Sequence, residues 1–221
     1  MKRTFLYILA ALLAASCKNS SVQNNKSEGD KPVITVTIEP LRYFTEAIAG
    51  DNFNVISMVP KGSSPETYDP TPQQLVDLAK SKAYFRIGYI GFEQTWMDKL
   101  TDNAPHLQFF DTSRGIDLIY DSSHAHHHHD ADEPHAHDSI QDDEHQHLLG
   151  VEPHVWSSAY NAQIIAGNIV NALCAIDKGN EEVYMERYKS LCNQIEHTDS
   201  LICHMLSAPN ADRAFMIYHP A

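Results

Sequence analysis

The order of apolar and polar positions divides the chain into an apolar leader, a polar gap, a run of short alternating elements, a second polar gap and two long helices. Val33 to Ile38 alternates β-branched residues and predicts a strand. Pro40 opens a short helix through Ile48, closed by Gly50. Phe53 to Val59 reads as a second strand. Pro72 to Lys80 reads as a helix with Leu75, Leu78 and Ala79 on one face. Ala83 to Ile87 is a third strand, Phe92 to Leu100 a helix and Leu107 to Phe110 a fourth strand. Strands and helices alternating through short connections predict right-handed βαβ units on a parallel sheet, so the fold class is α/β. Ligands of such sheets gather at the carboxyl ends of the strands. The loop Pro60 to Thr71 and the segment after Phe110 would both emerge there.

Beyond the second polar gap, Ser157 or Ser158 caps a helix with an apolar stripe at Ala162, Ile165, Ile169, Leu173 and Ile176. Gly179 ends it. Asn180 is expected to cap the next, with Glu181 and Glu182 suited to its first turn. The stripe Tyr184, Tyr188, Leu191, Ile195, Ile202 and Leu206 carries that helix to Pro209. A helix from Glu181 to Ser207 would be about 40 Å long at 1.5 Å per residue, more than one small lobe needs, so it is expected to bridge two. Arg213 to Tyr218 then predicts a strand that opens a second lobe, and only His219-Pro220-Ala221 follow.

The second polar gap changes the picture most. It holds nine of the fourteen histidines: His124, His126, His127, His128, His129, His135, His137, His145 and His147. Seven carboxylates are interleaved, and no Lys or Arg. Such a segment has little to bury and is expected to be disordered. Imidazole and carboxylate are the ligands of borderline divalent cations, so the tract is read as an accessory metal-handling loop. The formal charge of −13 suits a partner of positive charge and argues against nucleic acid.

At the N-terminus Lys2 and Arg3 precede an apolar run, Phe5 to Ala15, too short to span a bilayer comfortably. Leu13-Ala14-Ala15-Ser16-Cys17 resembles the lipobox of bacterial lipoprotein precursors, with Ala14 where Leu is commonest. The resemblance implies lipidation of Cys17 and anchoring without a transmembrane helix. Lys18 to Lys31 is polar and aperiodic, a flexible tether. Cys174, Cys192 and Cys203 show no CxxC spacing and read first as small apolar core residues. Cys192 and Cys203 lie about 16 Å apart along one helix, too far for a disulfide.

Three short motifs resemble those of the zinc/manganese-binding proteins of bacterial ABC importers, the family 9 solute-binding proteins. The first is Gly62-Ser63-Ser64-Pro65-Glu66-Thr67-Tyr68-Asp69-Pro70-Thr71-Pro72, which follows a G-x-x-P-H-x-Y-x-P-T-P loop except that Glu66 replaces the ligand His. The second is Glu152-Pro153-His154-Val155-Trp156, against D-P-H-x-W. The third is His219-Pro220-Ala221. The resemblance covers Val33 to Ala221 and implies two parallel-sheet lobes joined by one long helix, with the ion in the cleft. Only the N-terminal lobe, the linking helix and the first strand of the second lobe would then be present. The expected organisation is a lipoprotein signal peptide at 1–17 and a tether at 18–31. A metal-binding lobe at 32–179 contains the histidine loop at 121–148. The linking helix follows at 180–208 and the start of the second lobe at 209–221.

Glu66, His154 and His219 are the implied metal ligands. Tyr68, Trp156 and Tyr218 would wall the site, and His106, His197 and His204 are left structural. Glu66 makes the ligand set harder than three imidazoles and more tolerant of Mn2+. The histidine tract argues for Zn2+, which is the expected cargo. The implied function is capture of that ion at the periplasmic side of the bacterial envelope and delivery to an ABC permease, by a monomer. No catalysis is expected: neither a GxxxxGK[ST] loop nor HExxH is present. The alternatives are a manganese-binding importer component, or an envelope zinc buffer acting through the tract alone.

Overall fold

Four strands of four residues each, β1 (Val33–Val36), β2 (Asn54–Ser57), β3 (Ala83–Arg86) and β4 (Gln108–Asp111), form one parallel sheet in the order β2-β1-β3-β4. The computed structural model describes residues 31–120 and 150–212, with Ala214 and Met216. The expected leader, the tether up to residue 30, the histidine tract and most of the expected strand at 213–218 lie outside the described residues, as do Cys17, Tyr218 and His219. Ile34 faces Val55 on one side and Ala83 on the other, and Phe85 faces Phe110. Ile34, Thr35 and Val36 are wholly buried, because β1 is central and covered on both faces. The buried hydroxyls in it and just past it are paired: Thr35 with Ser81 at 2.7 Å and Thr37 with Tyr84 at 2.9 Å.

The helices follow the predicted order. They are α1 (Glu39–Ala49), α2 (Pro72–Leu78), α3 (Gly91–Asn103), α4 (Ala159–Ile176) and α5 (Glu181–Leu206). Pro40 lies in the first turn of α1, which ends at Gly50 with φ 56°. Thr71 and Gln74 make a reciprocal capping box at α2. Ser158 caps α4, its Oγ accepting from the Asn161 amide at 3.4 Å. Asn180 departs from its expected role. Its side chain donates to Asp177 Oδ2 at 2.8 Å and makes no cap bond to α5. A nearer carboxylate, brought close by the 3-10 turn Lys178–Asn180, wins that amide.

By the right-handed rule for such crossovers, the strand order puts α1 on one face of the sheet and α2 and α3 on the other. α4 and α5 pack on α1 and on each other. Ile165, Ile169 and Leu173 of α4 and Tyr184 and Leu191 of α5 are buried beside Leu41 and Ile48 of α1. Each such side chain contributes about 1.5–3 kcal/mol of burial. The 26 residues of α5 span about 39 Å, and only the first part is held this way. Leu201, Ile202, Met205 and Leu206 are at least half exposed. Cys203 lies on that uncovered part and is exposed, which corrects its reading as a core residue. Cys174 and Cys192 are half-buried, and neither they nor Cys203 is bridged.

Candidate metal centre

Every connection that leaves the carboxyl ends of the strands converges on one edge. After β2 the chain continues its pairing with β1 (Met58 amide to Val36 carbonyl 2.8 Å, Val59 amide to Thr37 carbonyl 2.9 Å) and then turns at Pro60 to Ser63. Gly62 has φ 87°, a left-handed conformation that glycine adopts without a Cβ penalty. Gln74, besides capping α2, donates to the Met58 carbonyl at 2.7 Å and accepts from the Tyr68 hydroxyl at 2.7 Å. The two ends of the loop are thereby tied together.

The far side of this loop is docked on the start of α3. The Phe92 amide donates to the Pro65 carbonyl at 2.9 Å, and the Gly91 amide donates to Glu66 Oε2 at 3.0 Å. Trp96 Nε1 donates to Asp69 Oδ1 at 3.1 Å. The Glu66 carboxylate is therefore exposed but oriented, with the positive end of a 13-residue helix behind it. One of its two oxygens takes the Gly91 proton. A carboxylate has about four lone-pair sites, so this bond is compatible with coordinating a cation.

His154 is held more firmly. Its segment is fixed by the Tyr120–Val151 bridge and by the Glu152 amide donating to the Ile119 carbonyl at 2.8 Å. Glu152 Oε1 accepts from the His154 amide at 3.1 Å and also pairs with its Nδ1. An ionised carboxylate has no proton to give, so within this pair Nδ1 is the donor, and Nε2 is the ring nitrogen that a metal would take. The ring side chain is 14% exposed and meets Trp156 edge-on, with centroids 5.2 Å apart. Val155 is buried beneath it at the start of a 3-10 turn. Trp156 walls a cavity of about 200 Å³ whose other sides are Ile38 to Pro40 and the Pro60 to Pro65 loop. That cavity places the His154 segment beside the loop that bears Glu66.

Among the described residues no three ligating side chains converge. Glu66 and His154 share an edge, and His219 and the tract histidines, His124 to His147, lie outside the described residues. His106 has a structural contact, its Nε2 2.8 Å from the Ala79 carbonyl, and His197 and His204 are exposed on α5. Two acidic residues that sequence reasoning passed over matter here. Glu152 orients His154. Glu93, in the first turn of α3, is buried at the carboxyl ends of β1 and β3, where desolvation pushes its carboxyl above the ordinary value. The only signal for Glu152 was its match to an Asp in the motif, and for Glu93 there was none.

The zinc-uptake complex component A, periplasmic, is the family whose model matches residues 34–221. The chain belongs to this family. Among relatives, it is 28% identical to the high-affinity zinc uptake system protein ZnuA of Bacillus subtilis, over 98% of this chain and 65% of that protein. It is 30% identical to the iron ABC transporter substrate-binding lipoprotein MtsA of Streptococcus pyogenes, over 86% of this chain and 56% of that one. The manganese ABC transporter substrate-binding lipoprotein PsaA of Streptococcus anginosus is 28% identical, over 88% and 56%. A crystal structure of ZnuA superposes with a TM-score of 0.70 at 29% identity, covering 86% of this chain and 64% of that chain. The chain thus spans between about half and two thirds of the length of these family members.

Proposed function

We propose that this protein captures a divalent cation, zinc foremost, in the bacterial cell envelope and hands it to the permease of an ABC importer. Glu66, His154 and His219 are its ligands, Cys17 carries the lipid anchor, and the protein catalyses no reaction. The observation that carries the reading is the Glu152–His154 pair. A carboxylate that fixes the tautomer and aim of an imidazole is the usual support of a metal-bound histidine. It stands at the carboxyl edge of a parallel sheet, where ligands of this architecture bind. The family match and the relatives named for zinc, iron and manganese uptake support the same reading. Glu66 in place of an imidazole favours manganese as the second reading, since a carboxylate is the harder ligand.

The test uses the full-length protein stripped of metal. One tight zinc site is expected by chelator competition, and His154→Ala should weaken it by about 100-fold or more, beyond the loss typical of outer-shell changes. Several weak sites in place of one tight site, with no effect of His154→Ala, would turn the reading to metal buffering by the histidine tract. Full affinity in Glu66→Ala would remove Glu66 from the ligand set. Deletion of residues 122–148 should spare the tight site and impair uptake only at limiting zinc.

A further inference from the structure

In an open parallel sheet the crevice at the switch in strand order is where ligands settle. The order β2-β1-β3-β4 puts that switch between β1 and β3. Here the crevice is occupied by the chain's own Glu93, which is 1% exposed. Its Oε1 accepts from the Thr37 hydroxyl, one residue past β1, and from the Ile87 amide at 2.9 Å, one residue past β3. Its Oε2 accepts from the Gly88 amide. The Tyr84 hydroxyl, 2.9 Å from that of Thr37, extends the network into the core. A carboxyl at this depth opposes folding unless its donors are held in place, so the cluster is rigid or it is unfavourable.

The same helical turn serves the loop outside. Glu93 reaches inward to the sheet, while the amides of Gly91 and Phe92 receive Glu66 and Pro65 from the loop. We propose that Glu93 is a positioning residue for the ion site: it clamps the first turn of α3 to β1 and β3, and so sets where that turn holds Glu66. This rests on Glu66 being an ion ligand.

The experiment measures zinc affinity of the folded full-length protein by chelator competition, and ligand geometry by the visible spectrum of the Co2+ form. Glu93→Gln keeps the volume but sets an amide N–H2 against the Ile87 or Gly88 amide, so the turn must shift. It should weaken zinc about 10-fold and alter the Co2+ spectrum. Thr37→Val removes one donor and should weaken zinc by a smaller factor. Leu173→Ala, buried in α4 away from this edge, should lower stability and leave both readouts unchanged. In a Glu66→Ala background, Glu93→Gln should cost nothing further. Wild-type affinity in Glu93→Gln, or a loss additive with Glu66→Ala, overturns the proposal while the ion reading stands. Wild-type affinity in Glu66→Ala overturns both. If Glu93→Gln does not fold, Thr37→Val and its coupling to Glu66→Ala decide in the same way.

Discussion

Gly91 and Glu66 touch without room for a further atom: the Gly91 amide lies 3.0 Å from Glu66 Oε2, and a Cβ on Gly91 would lie 2.5 Å from that oxygen. It would also come within 2.9 Å of the Glu66 carbonyl oxygen and 3.2 Å of its Cα. Gly91 is not among the glycines of positive φ, so its backbone suits any residue. What requires glycine there is the loop seated against it.

Gly91→Ala should therefore destabilise the protein by about 1–3 kcal/mol through overpacking, although alanine is the better helix former by about 1 kcal/mol. Urea unfolding measures the loss. In a Glu66→Ala background part of it should return, because only the backbone contacts remain. The same substitution should weaken zinc by displacing Glu66.

Glu93 makes stability depend on pH in a direction opposite to that of a salt-bridged carboxylate. Burial raises its carboxyl above the ordinary value of 4.5, so the folded state binds the proton more tightly than the unfolded one. The stability this proton supplies is complete below the unfolded value and is lost as pH rises through the folded one. The difference in unfolding free energy between wild type and Glu93→Gln should therefore fall as pH rises from below 4.5 toward neutrality. A flat difference across that range would remove the shift.

Glu152→Gln and Glu152→Ala should both weaken zinc binding, by about 10–100-fold for loss of an outer-shell partner. Glutamine keeps an acceptor oxygen for Nδ1 and should retain more affinity than alanine. Chelator competition on the full-length protein separates the two.

Tyr184 fastens α5 to the turns that follow α1 and α4. Its hydroxyl donates to Asp177 Oδ2 at 2.5 Å and accepts from Asn52 Nδ2 at 3.1 Å. Tyr184→Phe should cost about 1 kcal/mol, since it leaves a half-buried amide donor and a carboxylate without that partner. Burial and Asp177 raise the phenol well above its ordinary value, so no ionisation of Tyr184 is expected on titration to pH 10. Ultraviolet difference spectra against Tyr184→Phe check that point.

Gly50→Ala tests the neighbouring contact. Arg187 Nη1 donates to the Ala49 carbonyl at 2.7 Å, and a Cβ on Gly50 would fall 2.4 Å from that nitrogen. The guanidinium is the flexible end of its side chain and can withdraw, which forfeits the bond. The φ of 56° adds strain of about 1 kcal/mol or more for a residue with a Cβ. A loss of about 1–2 kcal/mol is expected in urea unfolding.

The chain by itself determined which elements form and in what order. Their causes are local: β-branched runs at 33–38, Pro40 and Gly50 around α1, the Thr71–Gln74 box, the Ser158 cap and the stripe from Tyr184 to Ile195. The motif around His154 was equally legible, because its residues are consecutive. Only the tertiary structure decided the strand order, and with it the crevice that Glu93 fills from 56 residues beyond Thr37. It also decided that Glu66 meets Gly91, 25 residues on, that Asn52 meets Tyr184 across 132, and that Asn180 turns back to Asp177. In a helical turn a glutamate reads as a solvated or capping residue. Its burial depends on where the crossovers carry that turn, and no local periodicity records this.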